Sequence, residues 1–188
     1  MVRNDLRTRR DTERDGVART VSDLVPAAST VGVGGGRAMP AFARRLGQRD
    51  RLAVVTTSLG VAMELVGAPG IALTVTAGCT LPGSDHLVGP DVVGTLDAFH
   101  LDLAVVQVDG VVDQGLSLDE PLVARTIEAM VLRAAAVIVI AEPGAIGRRA
   151  STPLRLSGRS YSLVAHTSAD GAVLRVLAEG GVRIARTN

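Results

Sequence analysis

The chain has 188 residues, a length suited to one well-buried domain. Its formal net charge of +1 excludes the strong positive field of a protein that binds nucleic acid with its whole surface. All 20 basic residues are arginines, and the absence of lysine excludes Schiff-base catalysis and a P-loop. The one cysteine, Cys79, excludes an internal disulfide and a cysteine-rich zinc site, and we expect it to be a small buried side chain.

The N-terminal residues are polar. Residues 1–12 mix acids with arginines, which predicts a loose polar tail and gives no apolar segment for a signal peptide. A helix is predicted from near Thr12 to Leu24, and residues 13–188 are expected to form a single domain. No apolar run reaches transmembrane length, so the sequence predicts a cytoplasmic protein without a membrane partner.

A strand, a glycine turn, a helix and a second strand are predicted between residues 30 and 56. Apolar residues of that helix recur at i, i+3, i+4 and i+7, namely Met39, Phe42, Ala43 and Leu46. The turn holds three consecutive glycines, whose N–H groups could approach an anion at the start of the helix, and Arg37 could add charge. The glycines fit neither the dinucleotide fingerprint nor the P-loop, so a tight connection without a ligand stays open as the alternative.

The remaining sequence alternates between helical and strand patterns. We predict a helix over residues 59–66, a strand over 71–76, a loop over 77–89, a short helix from Pro90, a strand over 101–108, a loop over 109–118, a helix over 120–135, a strand over 137–141, a loop over 142–149, strands at 163–165 and 182–185, and a helix over 170–179 between those two strands. This alternation predicts an α/β fold with a mainly parallel, Rossmann-like sheet flanked by helices.

Residues that follow parallel strands are expected to meet at one edge of the sheet, where α/β proteins bind ligands. On this basis the candidate ligand-binding residues are Gly34, Gly35, Gly36, Arg37, Thr56, Thr57, Gly78, His86, Asp109, Gly110, Glu120, Glu142 and Arg148. We expect Arg37 and Glu142 to share one cleft. No catalytic residue, cofactor or metal site is predicted, because the three histidines are too scattered for a local metal motif.

Seven stretches resemble, in order and spacing, those of one protein family: residues 31–46, 54–59, 77–80, 88–90, 102–115, 137–147 and 181–182. Residues 54–59 spell Val-Val-Thr-Thr-Ser-Leu, close to the family's Val-Val-Thr-Asn-Ser-Leu. The family is the C-terminal effector-binding domain of DeoR-type transcriptional repressors, and the resemblance runs from about Glu13 to Ala185. It implies the fold shared with ribose-5-phosphate isomerase, glucosamine-6-phosphate deaminase and CoA transferases.

The resemblance implies a ligand-sensing domain. Its effector would be a sugar phosphate or a related small metabolite, and it would control DNA binding by an upstream winged helix-turn-helix that is expected to be absent from this chain. Operator DNA would be a partner only through that domain, and a homodimer or higher oligomer is expected because such repressors read paired sites. The alternatives are a small isomerase or CoA transferase-like enzyme of the same fold, and a dimerisation scaffold with a vestigial pocket.

Two departures from the family pattern fall at the expected site. Gly34–Ala38 replaces Asp-Ser-Gly-Thr-Thr, and Glu142–Ala145 replaces Asp-Ser-Ser-Lys, so an acid, several hydroxyls and a basic residue are lost. Arg37, Arg148 or Arg149 could restore positive charge, because arginine binds phosphate through two hydrogen bonds. The sequence leaves a phosphate, another anion and a non-phosphorylated ligand open, while the missing lysine argues against the enzymes.

Overall fold

A computed structural model of the chain describes residues 2–187, with side chains described from residue 11. The helices are α1 (Val2–Leu24), α2 (Met39–Leu46), α3 (Leu59–Leu65), α4 (Pro90–Asp97), α5 (Pro121–Leu132) and α6 (Gly171–Glu179). The strands are β1 (Thr30–Val33), β2 (Leu52–Thr56), β3 (Ile71–Val75), β4 (Cys79–Thr80), β5 (Leu87–Val88), β6 (Leu101–Val108), β7 (Gly110–Val112), β8 (Gly115–Leu118), β9 (Ala134–Ala141), β10 (Thr152–Pro153), β11 (Ser162–His166) and β12 (Arg183–Thr187).

Seven strands form one sheet in the order β12-β11-β9-β6-β1-β2-β3. Every neighbouring pair in this sheet is parallel, which confirms the predicted α/β class. The chain builds outward from β1 through β2 to β3, and it later returns to place β6 on the other side of β1. The strand order therefore reverses between β1 and β6, and such a reversal leaves a crevice beyond the carboxyl ends of the two strands.

Helices cover both faces of the sheet. Side chains of α1, α2 and α3 pack on one face, and those of α4, α5 and α6 pack on the other. Adjacent residues of β6 show the division, since Val105 belongs to the first apolar cluster and Val106 to the second. The core is aliphatic apart from Phe42, which is fully buried. This packing fixes the strand ends that carry the candidate site.

Helix α1 begins at Val2, so the prediction of a loose tail over residues 1–12 is wrong for residues 2–12, and Met1 lies outside the described residues. Residues 2–15 contain no glycine or proline, and seven of these fourteen residues are arginine, leucine or glutamate, which have good helix propensity. Asp11 and Arg14 add an ion pair one turn apart at 3.6 Å. A polar sequence can thus form helix, and the last turns of α1 bury Val17 and Val21 against the domain.

Two predicted loops contain short antiparallel strands. Residues 109–118 form the hairpin of β7 and β8, in which Val112 pairs with Gly115 across a two-residue turn, and β10 adds a third strand. Residues 77–89 contain the pair of β4 and β5. Strands of two to four residues are too short to show a clear alternation of apolar and polar side chains. Cys79 lies on β4 and is exposed, so its predicted burial is wrong.

Within residues 2–187, no helix combines the length and the apolar character that a membrane span requires.

Candidate functional site

A cleft of about 740 Å³ opens at the carboxyl ends of the strands, in the size range of small-molecule sites. Eight of the predicted residues line it: Gly35, Gly36, Arg37, His86, Asp109, Glu120, Glu142 and Arg148. Further lining comes from Pro40, Gly83, Ser84, Asp85, Gln107, Val108, Leu118, Asp119, Val123, Gly144 and Ala145. We call this cavity the switch-point cleft. Arg37 and Glu142 share it, as the sequence predicts.

Two predicted threonines are not among the residues that line the cleft. The hydroxyl of Thr56 donates to the carbonyl of Val33 at 2.8 Å and accepts from the N–H of Ser58 at 3.1 Å. Thr57 is fully buried, and its carbonyl accepts from the N–H of Leu87 at 2.7 Å. Both residues therefore join the ends of neighbouring segments.

Three further predicted glycines are not among the residues that line the cleft and occupy tightly packed positions: Gly34, Gly78 and Gly110. A Cβ at Gly34 would lie 2.9 Å from Cδ1 of Ile127, and a Cβ at Gly110 would lie 2.5 Å from Oγ of Ser117. Gly78 has a φ of +116° and packs closely on the carbonyl of Val88. Each glycine is needed for a close approach of protein to protein rather than for ligand access.

The glycine turn between β1 and α2 is filled by two side chains from other strands and loops. Oε1 of Gln107 accepts from the N–H of Ala38 at 2.9 Å. A Cβ at Gly36, which has a φ of +131°, would lie 2.5 Å from that same oxygen. The ring of His86 covers Gly35, where a Cβ would lie 2.7 Å from Cε1. The turn is thus a socket for the protein's own side chains.

The His86 side chain is partly buried in the lining of the cleft. Burial lowers the pKa of its imidazole, against the opposing attraction of Asp85 and Asp109. Its Nδ1 atom is buried without a hydrogen-bond partner in the part of the chain that the structure describes. Asp85 is itself held in place, because it accepts from the hydroxyl of Ser58 and from the N–H of Gly60. The ring is therefore a neutral, aromatic surface at neutral pH.

Carboxylates outnumber guanidinium groups around the cleft. The five carboxylates are those of Asp85, Asp109, Asp119, Glu120 and Glu142, and the two guanidinium groups are those of Arg37 and Arg148. Arg148 is already engaged, since Nη2 lies 2.7 and 2.9 Å from the two carboxylate oxygens of Asp119. Its Nη1 donates to the carbonyl of Asp109 at 2.7 Å. The cleft consequently offers far more acceptors than free donors.

A smaller cavity of about 360 Å³ adjoins the cleft beneath helix α1. We call it the α1 pocket, and it is lined by Glu13, Arg14, Val17, Arg37, Ala38, Ile140, Ala141, Glu142, Pro143, Gly144 and His166. Nε of Arg14 donates to Oε1 of Glu142 at 2.7 Å, and Nδ1 of His166 lies 3.8 Å from Oε1 of Glu13. Glu142 belongs to both cavities, so a single ion pair joins the cleft to α1.

Comparison with known proteins identifies the family. The family described as the DeoR C terminal sensor domain matches residues 9–157 of the chain. The chain belongs to this family. The predicted membership is confirmed, and with it the role of an effector-binding regulatory domain. A curated relative is the HTH-type transcriptional repressor CsqR of Escherichia coli strain K12, 24% identical over 131 residues. That match covers 69% of this chain and 50% of the relative, so the chain spans about half the length of the curated relative.

Solved structures agree on the fold of this DeoR-type sensor domain. Ribose 5-phosphate isomerase A from Methanocaldococcus jannaschii superposes with a TM-score of 0.53 and 19% identity, covering 72% of this chain and 54% of the isomerase. A probable sor operon regulator from Shigella flexneri superposes with a TM-score of 0.51 and 16% identity, covering 84% and 85% of the two chains. At these identities the likeness establishes a shared architecture only.

Several residues that shape the site in this DeoR-type sensor domain were missed by the sequence analysis. Gln107 carries a signal, because it is a polar residue near the end of β6, a strand whose other polar side chain is the exposed Asp102, and it is only 8% exposed. Asp85 adjoins the predicted His86 in sequence. Nothing in the sequence indicates that Arg14 contacts the site, since 128 positions separate it from Glu142. Among the described side chains, no three His, Cys, Asp or Glu residues are grouped so as to hold a metal ion.

Proposed function

We propose that this chain senses a small hydrophilic metabolite in the switch-point cleft and thereby controls DNA binding by a reader domain joined before α1. The observation that carries the proposal is a cleft of about 740 Å³ at the reversal of strand order, in a chain of the DeoR sensor family. A regulator of this kind acts where the DNA is, which supports a cytoplasmic location. The DNA-binding reader domain is itself part of what we propose, because this chain covers only half of its curated relative.

Helix α1 is the proposed output element. Its last turns are anchored by the buried side chains of Val17 and Val21, whereas its first turns extend toward the N-terminus. Arg14, between these two parts, contacts Glu142 at the rim of the cleft. A ligand that recruits the Glu142 carboxylate would change this contact, and α1 would transmit the change.

The proposed regulator acts as a homodimer or higher oligomer, because paired operator sites are read by symmetric assemblies. Alone, this chain should bind DNA only weakly, since its net charge is +1 and specific readers place a recognition helix in the major groove. Its role is to set the geometry of the readers rather than to contact bases.

Regulation without turnover is the favoured form of this function. An isomerase or transferase needs a base, an acid and a stabiliser of developing charge at one position. In this cleft Glu142 is engaged by Arg14, Arg148 is engaged by Asp119, and the chain contains no lysine. These features support binding over catalysis.

The test is thermal unfolding of the purified chain in the presence of sugars, sugar phosphates and acyl-CoA compounds, with product analysis of each mixture. We expect at least one sugar-like compound to raise the Tm, because a ligand at about 100 times its Kd adds roughly 2.7 kcal/mol to the free energy of unfolding. No product should form. Turnover of any compound would support the enzyme instead, and a panel without stabilisation or turnover would support a scaffold.

A further inference from the structure

The start of helix α2 is already occupied by the protein. A phosphate group bound there would need backbone N–H groups as donors. The N–H of Ala38 donates instead to Oε1 of Gln107, which is 8% exposed and packed on Gly36. An anion entering this turn would have to break a buried hydrogen bond and displace the His86 ring from Gly35.

The remaining polar surface is unfavourable to a second anion. A phosphate monoester at neutral pH carries a charge of about −1.5 to −2 and offers mainly acceptor oxygens. Ionised carboxylates only accept hydrogen bonds, so phosphate oxygens would face carboxylate oxygens, with no donor between them, across most of the cleft. Arg148 is committed to Asp119, and Arg37 is the one cleft arginine without an ion-pair partner among the described residues. The burial of His86 keeps the ring from supplying positive charge.

The same groups suit sugar hydroxyls. A hydroxyl donates a hydrogen bond to a carboxylate, and a hydrogen bond to a charged group contributes more than one between neutral groups. Glu120 is exposed and has no hydrogen-bond partner for its carboxylate among the described residues. The apolar side chains of Val108, Leu118 and Val123 also line the cleft, but each is buried, so the groups that a ligand would meet are mainly the polar ones.

We propose that the effector is a hydroxyl-rich molecule without a phosphate group, a free sugar or polyol, held by carboxylates of the switch-point cleft. This proposal rests on the proposed sensor function and narrows its ligand. A protonated amine on the sugar strengthens binding, because the cleft has three more carboxylates than guanidinium groups.

The test uses matched probe pairs: ribose with ribose 5-phosphate, glucose with glucose 6-phosphate, and glucosamine beside glucose, with inorganic phosphate alone. Each is titrated into the chain to about 50 mM, which saturates sites of millimolar Kd, while NMR follows the backbone amides of Gly35, Asp109 and Glu120. We expect at least one free sugar to shift these amides and to bind at least about tenfold more tightly than its ester. Inorganic phosphate should shift none of them.

Two outcomes would overturn the proposal. One is an ester, or inorganic phosphate, that binds in the cleft more tightly than the free sugar; the sensor function would then survive with an anionic effector. The other is that no compound in the panel shifts these amides, because a cleft that binds hydroxyl groups should bind several of these compounds weakly.

Two variants test separately the contribution of the cleft carboxylates and that of the glycine turn occupied by Gln107. Glu120→Gln should reduce the preference for free sugar over ester by at least about threefold, since it removes one repelling carboxylate. Glu179→Gln, the same change at an exposed residue of α6 outside the cleft, should leave the preference unaltered. Gln107→Ala frees the N–H of Ala38 and should let inorganic phosphate shift that amide. An unchanged preference in Glu120→Gln would contradict the proposal, and the wild-type titrations decide the matter if Gln107→Ala fails to fold.

Discussion

At the scale of residues, the glycine turn depends on two side chains that approach it from elsewhere in the chain. Gly35 makes room for His86, and Gly36 makes room for Gln107. Burying the imidazole against backbone removes it from water, and this burial lowers its pKa. The proton affinity of one side chain thus reports whether the turn is packed as the structure has it.

The packing of His86 predicts a pH dependence of stability. Its pKa is lowered in the folded chain from an ordinary value of 6.5, so the unfolded chain binds the proton more readily. The free energy of unfolding should therefore fall as the pH drops below 6.5, and His86→Gln should lose this part of the slope. Urea unfolding at about pH 7.5 and about pH 5.5 measures the difference. The exposed His100 gives the matched control His100→Gln; equal slopes in wild type and His86→Gln would contradict the packing.

At the scale of elements, the long segments were predictable and the short ones were not. Strand β6 was predicted with its observed bounds, because eight apolar-rich residues between clear breaks leave little choice. The hairpin of β7 and β8 was missed, since its turn is Asp113-Gln114 rather than an asparagine–glycine or aspartate–glycine pair. The sequence predicts too late a start for helix α1, because the first half of this helix has no apolar face.

The candidate site was predictable only as a location. Topology places the residues after each strand at one edge, which brought Arg37 and Glu142 into one cleft. Which side chains line the cleft depends on packing between distant segments. The hydroxyl of Thr56 instead bonds to backbone, while Gln107 enters the site from near the end of β6 and Arg14 enters it from α1.

The proposed output through α1 predicts a separable effect of Arg14. Arg14→Gln removes the ion pair with Glu142 but leaves the cleft lining intact, so effector binding should persist while α1 stops responding. Hydrogen exchange of α1 amides, measured with and without a stabilising compound, should change at least about fivefold in wild type and not in the variant. Arg19→Gln, at an exposed position of the same helix, is the control and should respond like wild type. An unchanged response in Arg14→Gln would contradict this route.

At the scale of the whole molecule, the two edges of the sheet differ in chemistry. Strand β12 carries Arg183 and Arg186, and charges on an edge strand oppose pairing with another sheet. Strand β3 at the opposite edge carries no charge, the neighbouring helix α3 exposes Met63 at 78%, and Val66, which directly follows that helix, is 74% exposed. An uncharged edge beside exposed apolar side chains favours association with a second copy through β3.

We therefore expect a homodimer that contacts through β3. Light scattering at micromolar concentration should give twice the monomer mass of 19.4 kDa for the wild type. Ala72→Arg, which places on β3 the kind of charge that β12 carries, should reduce the mass to that of the monomer. Val176→Arg on α6, where the native side chain is half exposed, is the control and should remain dimeric. A monomeric wild type, or a dimeric Ala72→Arg, would exclude this interface.

The length of α1 turns a small displacement at the cleft into a large one elsewhere. The segment from Val2 to Asp15 is helical, and at 1.5 Å per residue it extends about 20 Å beyond the buried anchors. A tilt of about 10° at a pivot near Arg14 would carry the far end, about 18 Å away, by about 3 Å, which is close to the axial rise of about 3.4 Å per nucleotide of one DNA strand. Under the proposed function, the helix would act as a lever, and a displacement of the Glu142 carboxylate smaller than this distance would move an attached reader by about one base-pair step along the DNA.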